Sequence, residues 1–150
     1  MKAAKAVGVS RATNSDLFKS IVLGKSIVGS DAVNFIRAGV PASILKEASN
    51  FLGVPEARIF RAVHMPATTA SRLVKNAARM DAAITERVYR MGNTVKLAID
   101  VFESSERAAE WMRQPNRTLG GVAPLELIDT EPGANAVRQV LNAIATGGVA

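Results

Sequence analysis

Apolar residues recur through the middle of the chain at intervals that bring them to one side of a helix. From Ile84 the steps are four, three, four, three and four positions, through Val88, Met91, Val95, Ala98 and Phe102. This spacing predicts a long amphipathic helix that begins near Asp81. Gly92 lies inside it and costs about 1 kcal/mol relative to alanine, too little to interrupt so continuous a face. The apolar seam forms either an intramolecular core, which we favour, or a contact between subunits.

Proline and glycine divide the chain before this helix into a series of short helices. Ser30 is predicted to cap the first, which Gly39 ends, and Gly53 ends the second. Pro55 and Pro66 mark the next two starts, because proline suits the first turn of a helix and not its interior. The predicted ranges are 31–38, 41–52, 55–63 and 67–78. Short helices with such tight connections are typical of a small DNA-binding domain that contains a helix-turn-helix.

Three more helical segments are predicted after the long helix. Ser105 is expected to cap a helix over 106–114, and Pro124 to open a short helix over 124–129. Residues 130–133 are expected to turn the chain. The last helix ends at Gly147 and carries an apolar stripe at i, i+3, i+4 and i+7, formed by Val137, Val140, Leu141 and Ile144. No alternating strand pattern occurs, so the predicted fold class is all-α.

The segment RQPNRTLGG, residues 113–121, separates two of these helices. Asn116 is predicted to bridge the loop backbone with its amide side chain. Gly120 and Gly121 permit positive φ and a close approach by another chain. Trp111, the only tryptophan, is an anchor of the kind found in cores or at interface centres. The residues alone leave open whether this loop is a corner of the fold or a contact surface.

Charge is distributed unevenly over the 150 residues. Residues 1–90 hold 14 Lys and Arg against 6 Asp and Glu, and residues 91–150 hold 5 against 7, so their net charges of +8 and −2 sum to +6. A basic front half suits a polyanion, of which nucleic acid is the commonest. We therefore predict a flexible basic arm over 1–29, within which the stretch DLFKSIVLG, residues 16–24, could form a short helix or strand. A helix-turn-helix and dimerisation region is predicted over 30–103, and a C-terminal domain over 104–150.

Two helices compete as the one that reads DNA. In the first register the turn is 52–54 and the reading helix, 55–63, exposes Glu56, Arg58 and Arg61. In the second, which we favour, the turn is 64–66 and helix 67–78 enters the groove. Its hydroxyls and cations would meet phosphates or bases through Thr68, Thr69, Ser71, Arg72 and Lys75, with Arg79 just beyond. The residues predicted to pack inward are Ala70, Leu73, Val74 and Ala77.

Motifs for catalysis are scarce, and we predict no enzyme, cofactor or metal. No cysteine is present, which excludes thiolate metal sites and a cysteine nucleophile. His64, the single histidine, is predicted to pack or cap locally. Gly24-Lys25-Ser26 lacks the glycine that a phosphate-binding loop needs five residues earlier. No apolar run reaches the roughly 18 to 20 residues that cross a bilayer, and no secretory signal is recognisable, so we expect a cytoplasmic protein with no membrane partner.

The C-terminal third resembles a known family. The run WMRxPNRxLGGxxPLELIDTxxGxxxVxxxL, from Trp111 to Leu141, is closely similar to the toxin-binding domain of the Xre/MbcA/ParS antitoxins. The upstream segments IRAGVPASIL and FLGVPEARIFRAVHMPATTASRL resemble the Xre-like domain of the same family less sharply. The resemblance covers residues 30–150.

This resemblance implies a bacterial, non-catalytic type II antitoxin. Its partner would be a RES-domain toxin that consumes NAD⁺, either by degrading it or by ADP-ribosylation, and the C-terminal domain would cover the toxin's active-site cleft. The Xre-like domain would form a homodimer, bind operator DNA and repress its own operon. Carried over by position, the toxin-binding residues are Trp111, Pro115, Asn116, Leu119, Gly120, Gly121, Pro124, Leu125, Gly133, Val137, Leu141 and Gly147. The alternative is a stand-alone helix-turn-helix transcriptional regulator with a C-terminal dimerisation domain.

Overall fold

A computed structural model describes residues 16–148, which contain eight α-helices and no extended strand, so the all-α prediction is confirmed. In chain order the helices are α1 (Leu17–Leu23), α2 (Gly29–Ala38), α3 (Ile44–Leu52), α4 (Glu56–Ala62), α5 (Ala67–Lys75), α6 (Ala82–Phe102), α7 (Ser105–Arg113) and α8 (Glu131–Ala145). Two 3₁₀ turns, Arg117–Leu119 and Pro124–Glu126, lie between α7 and α8.

Helix α6 is the element on which most of the others pack. It contacts α1 and α2 from the N-terminal side and α7 and α8 from the C-terminal side. Asp81 begins it, since its carboxylate accepts a hydrogen bond from the Ile84 N–H (2.9 Å). The middle of the apolar seam is almost fully buried within this single chain, at Val88, Met91, Val95 and Ala98. The seam is therefore an intramolecular core.

Part of the predicted flexible arm is a helix that belongs to this core. Phe18, Ile21 and Val22 of α1 are buried, at the i, i+3, i+4 spacing of one helical face. Ile21 lies so close to Gly92 of α6 that a β-carbon there would approach its Cγ2 to 2.7 Å. Gly92 is thus the residue that admits α1. Of the two alternatives left open for residues 16–24, the short helix is the one present, and the wider prediction of an arm is wrong for residues 17–23. Residues 1–15 of that arm lie outside the described residues.

Several predicted helix starts move by one to three residues. Helix α2 begins at Gly29 and not after a Ser30 cap. Helix α3 begins at Ile44 and not at Pro41, because Pro41 pairs as an isolated bridge with Arg79. The predicted ends at Gly39 and Gly53 are confirmed, and both glycines adopt positive φ.

The C-terminal helices show similar corrections. Ser104, not Ser105, caps α7, and its hydroxyl accepts a hydrogen bond from the Arg107 N–H (3.1 Å). Helix α8 starts at Glu131 within the predicted turn, because the Thr130 hydroxyl caps it by accepting from the Gly133 N–H (3.1 Å). The helix predicted at 124–129 is reduced to a single 3₁₀ turn.

Candidate functional site

The loop between α7 and α8 is closed by its own backbone. The Asn116 N–H donates to the Val122 carbonyl (3.0 Å), and the Asn116 carbonyl accepts from the N–H groups of Leu119 (3.1 Å) and Gly121 (2.8 Å). Gly120 and Gly121 adopt φ of 81° and 86°. Both are exposed, and open space surrounds the position where a β-carbon would project. The loop is thus an ordered corner that presents bare backbone to solvent.

The predicted bridging role of the Asn116 side chain is wrong. The main-chain groups of Asn116 already close the loop. Its side chain is instead buried, and Oδ1 has no hydrogen-bond partner among the described residues. A buried acceptor without a partner costs about 1–3 kcal/mol, so this side chain is an unusual feature of the loop.

The residues carried over from the family motif divide by exposure. Those open to solvent are Pro115, Gly120, Gly121 and Gly147. Partly buried members are Trp111, Leu119 and Gly133. The remaining five belong to the buried interior, at Asn116, Pro124, Leu125, Val137 and Leu141. These five can shape the surface from beneath, but as placed they have almost no area with which to touch a partner.

Gly133 has a structural reason to be glycine. It lies in the first turn of α8 with an ordinary φ, and a β-carbon at this position would lie 1.8 Å from the Leu127 carbonyl oxygen. The close approach holds the start of α8 against the segment that follows the second 3₁₀ turn. Gly133 therefore serves the shape of the C-terminal domain.

Trp111 lines a cleft that the sequence analysis did not anticipate. Its ring packs against Phe102 at a centroid distance of 5.8 Å and an angle of 47°. The cleft has a volume of about 500 Å³, and its wall includes Phe102, Trp111, Pro115, Asn116, Arg117 and Ile144. Trp111, Pro115 and Asn116 were predicted toxin-binding residues, and Arg117 lies in the same motif but was missed as a site residue. Phe102 at the end of α6 and Ile144 of α8 lie outside the motif, and only the fold brings them to the cleft.

Helix α5 presents the predicted polar face in part. Thr68, Ser71, Arg72 and Lys75 are exposed, and Thr69 is partly buried. The prediction is correct that Ala70 is buried and that Leu73 packs on the core.

Two other residues of this segment do not pack inward as predicted. Val74 is 49% exposed because it lines an open groove between α5 and helices α3 and α4. Ala77 is exposed because α5 ends at Lys75, and Ala77 takes a left-handed φ of 52° beyond it. The guanidinium of Arg79, a predicted DNA contact, donates a hydrogen bond to the Gly39 carbonyl within the fold.

The groove beside α5 has a mixed charge. Its volume is about 680 Å³, and Lys46, Lys75, Glu47 and Glu56 lie along it. Burial raises the pKa of Glu47, although the Phe18 N–H, which donates to Oε1 at 3.0 Å, acts to lower it. A groove with two carboxyl groups is a poor path for a phosphate backbone. The exposed polar residues of α5 are therefore better placed for DNA where they face away from it, as Thr68 and Arg72 do, than where they line it, as Ser71 and Lys75 do.

Helix α4 faces the C-terminal domain. Arg58 donates through Nη2 to the Arg113 carbonyl (3.2 Å) and lies 3.6 Å from a Glu126 carboxylate oxygen. Its side chain is only 23% exposed, so the prediction that it is free to read DNA is wrong. Arg61 of the same helix is exposed.

Two further polar contacts join the same regions. Arg113 donates to the Leu52 carbonyl (3.1 Å) at the C-terminus of α3, where the helix dipole favours a cation. His64 Nε2 lies 3.0 Å from Asp129 Oδ2. The prediction of a purely local role for His64 is therefore wrong, because the turn after α4 brings it to a residue 65 positions away. The helix-turn-helix region and the C-terminal domain share a polar seam.

Within residues 16–148, no three His, Cys, Asp or Glu side chains are grouped so that they could hold a metal ion. No helix of this described part combines the length and apolarity needed to cross a membrane.

Comparison with known proteins assigns both regions. Residues 97–147 match the antitoxin Xre/MbcA/ParS C-terminal toxin-binding domain, and residues 31–92 match the antitoxin Xre-like helix-turn-helix domain. The chain is 31% identical over 129 residues to a Prs ADP-ribosylating antitoxin of Sphingobium sp. (strain YBL2), covering 80% of this chain and 81% of that protein. It is 28% identical over 113 residues to an antitoxin Xre of Photorhabdus laumondii (75% and 76% covered) and 27% identical over 120 residues to an antitoxin Xre of Yersinia enterocolitica (79% and 81% covered).

A helix-turn-helix domain followed by a toxin-binding domain defines an antitoxin of a type II toxin–antitoxin system. The chain belongs to the Xre/MbcA/ParS family of these antitoxins. Membership implies a cognate toxin as partner, and the Xre-like domain suggests DNA binding.

The geometry of Gly133 leads to a stability prediction. Gly133→Ala should lower the free energy of unfolding by about 2–3 kcal/mol, because the new methyl group overlaps the Leu127 carbonyl and α8 must shift. Asn135→Ala, at an exposed position of the same helix, should change it by no more than about 0.5 kcal/mol. Urea denaturation followed by circular dichroism measures both. Unchanged stability of Gly133→Ala together with loss of toxin binding would instead make Gly133 a direct contact.

Proposed function

We propose that this antitoxin neutralises a RES-domain toxin by covering the toxin's active site with the surface around residues 113–121. The observation that carries the proposal is the exposed Gly120–Gly121 backbone beside the Trp111 cleft, within the toxin-binding domain. An NAD⁺-consuming toxin is supported by the Sphingobium relative, whose name refers to ADP-ribosylation. The RES type of the toxin is supported by the C-terminal motif from Trp111 to Leu141, which resembles that of antitoxins whose partners are RES-domain toxins.

Neutralisation by surface contact fits the chemistry of the domain. An interface of standard size buries roughly 1,600 Å² in total, and the loop, the cleft and the end of α8 would supply the antitoxin's half of it. Bare glycine backbone allows a partner chain to come close, and a partly buried tryptophan beside it is the usual kind of interface anchor. The protein then acts stoichiometrically in the cytoplasm and catalyses no reaction itself.

Growth rescue and affinity test the toxin-binding surface. Expression of the neighbouring toxin gene alone should arrest growth, and co-expression of this antitoxin should restore it. Gly120→Asp should weaken the complex at least about 10-fold by placing a charge at the interface centre. Its cost in folding is roughly 1–2 kcal/mol, because Asp tolerates the left-handed conformation and nothing lies within 4 Å of the new β-carbon.

Asn34→Asp adds the same charge at an exposed position of α2 and serves as the matched control. Calorimetric titration with the purified toxin should show wild-type affinity for this variant. If Gly120→Asp binds as tightly as wild type, the loop is only a corner of the fold. If no toxin is found and no complex forms, the stand-alone transcriptional regulator becomes the better proposal.

We propose further that α5 supplies the operator contacts and that the protein represses its own operon. Thr68, Ser71, Arg72 and Lys75 are exposed on α5, whereas Arg58 of the competing helix is bound to Arg113 and Glu126. Hydroxyl and cationic groups along one helix suit phosphate and base contacts. The outer face of α5 is thus the better equipped of the two for DNA.

Salt dependence of operator binding distinguishes the two helices. The double variant Arg72→Ala, Lys75→Ala should flatten the slope of log K against log salt by about 1.8, since each phosphate contact contributes about 0.9. Lys19→Ala, Arg107→Ala removes two exposed cations elsewhere and should leave the slope unchanged. An unaffected α5 variant, combined with a lower slope for Arg61→Ala, would move the reading helix to α4.

A homodimer is part of the same proposal, because paired reading helices suit an operator with two half-sites. Leu23, Val28 and Val33 are large apolar residues exposed on α1, α2 and the segment between them. Exposed apolar side chains of this size are candidates for a subunit contact.

A further inference from the structure

We propose that the Trp111 cleft receives an acidic loop of the toxin, in which one apolar side chain enters the cleft and a neighbouring carboxylate pairs with Arg117. The inference rests on the proposed toxin-binding function and adds to it the place and chemistry of the central contact. Three features of the cleft define the occupant: its apolar walls, the exposed guanidinium of Arg117, and the Asn116 Oδ1, which has no hydrogen-bond partner among residues 16–148.

The walls of the cleft suit a hydrophobic side chain. The rings of Phe102 and Trp111 and the aliphatic side chain of Ile144 border a volume of about 500 Å³. This lies within the range of about 300–1,000 Å³ that is usual for ligand pockets. Trp111 and Ile144 are only partly buried, so apolar surface remains that a partner would remove from water. A side chain of leucine or phenylalanine type would make use of both walls.

The positive charge of Arg117, which lines the cleft, favours an acidic partner. Arg117 is exposed and forms no ion pair within residues 16–148. A guanidinium held on the rim of an apolar cleft recognises a carboxylate with good geometry, and the contact strengthens as water is excluded.

Asn116 provides the second, independent sign that a ligand is expected. Its side chain lines the cleft, and the residue is only 8% exposed. Its Oδ1 nevertheless has no hydrogen-bond partner among the described residues. As placed, Asn116 has almost no area for contact, but its side chain borders the cleft, so a small shift of the whole side chain on binding would bring this acceptor to a donor there. A main-chain N–H of an inserted loop is such a donor, and the cost of leaving the acceptor unpaired would then be recovered on binding.

The test follows Trp111 itself, because it is the only tryptophan of the chain. The full-length antitoxin is labelled with 5-fluorotryptophan and titrated with its purified cognate toxin while the single ¹⁹F resonance is recorded. We expect this resonance to shift on formation of the complex. Arg117→Glu should weaken binding at least about 10-fold by repelling the acidic loop. Arg107→Glu, the same reversal at an exposed position of α7, should change affinity less than about 3-fold.

The following outcomes would overturn the inference that the toxin occupies the Trp111 cleft. If the complex forms with an unchanged resonance and Arg117→Glu binds like wild type, the cleft is unoccupied and this inference fails while the proposed function stands. A resonance that shifts with antitoxin concentration alone would assign the cleft to a second copy of the chain and overturn the inference. Failure of the wild-type proteins to associate at all would overturn the inference and the proposed function together. Retained far-ultraviolet circular dichroism of Arg117→Glu excludes unfolding as the cause of a loss.

Discussion

Burial of one face of α6 is the interaction on which the rest of the structure depends. The N-terminal helices α1 and α2 and the C-terminal helices α7 and α8 all pack on this helix, and the middle of its seam is enclosed by them. The two regions that match separate family domains, 31–92 and 97–147, consequently share one hydrophobic core. The polar contacts Arg58–Arg113 and His64–Asp129 join the same two regions at the surface.

The two proposed tasks, DNA binding and toxin binding, fall on different surfaces of a chain that has one shared core. The cations of α5, Arg72 and Lys75, are exposed, whereas of the two cations of α4 Arg58 is bound to the C-terminal domain and Arg61 is exposed. The C-terminal domain keeps its own exposed features, namely the glycine pair of the loop and the aromatic cleft beside it. Buried motif residues such as Leu125 and Leu141 support these features from below. The family motif thus contains buried residues that support the surface as well as exposed residues that make it up.

The sequence predicted the long helices well because their apolar residues repeat over many turns, as in α6 and α8. Glycine ends at Gly39 and Gly53 were predictable for a local steric reason, their positive φ. Helix α1, with seven residues, is too short for its period to distinguish a helix from a strand, and its packing over Gly92 decides between the two. The hydrogen bond from Arg58 to the Arg113 carbonyl joins residues 55 positions apart, so no local pattern predicts it. The same holds for the meeting of Ile144 with Phe102 and Trp111 in one cleft, because α8 must fold back to bring Ile144 there.

The central claim is that toxin is bound by the exposed surface at the α7–α8 loop while the shared core stays unchanged. Hydrogen–deuterium exchange of the antitoxin with and without its cognate toxin tests this claim most directly. We expect new protection in residues 111–121 and at the end of α8, with the amides of the α6 seam equally protected in both states. Protection confined to α5, or none near Gly120 and Gly121 in a complex that does form, would contradict the account.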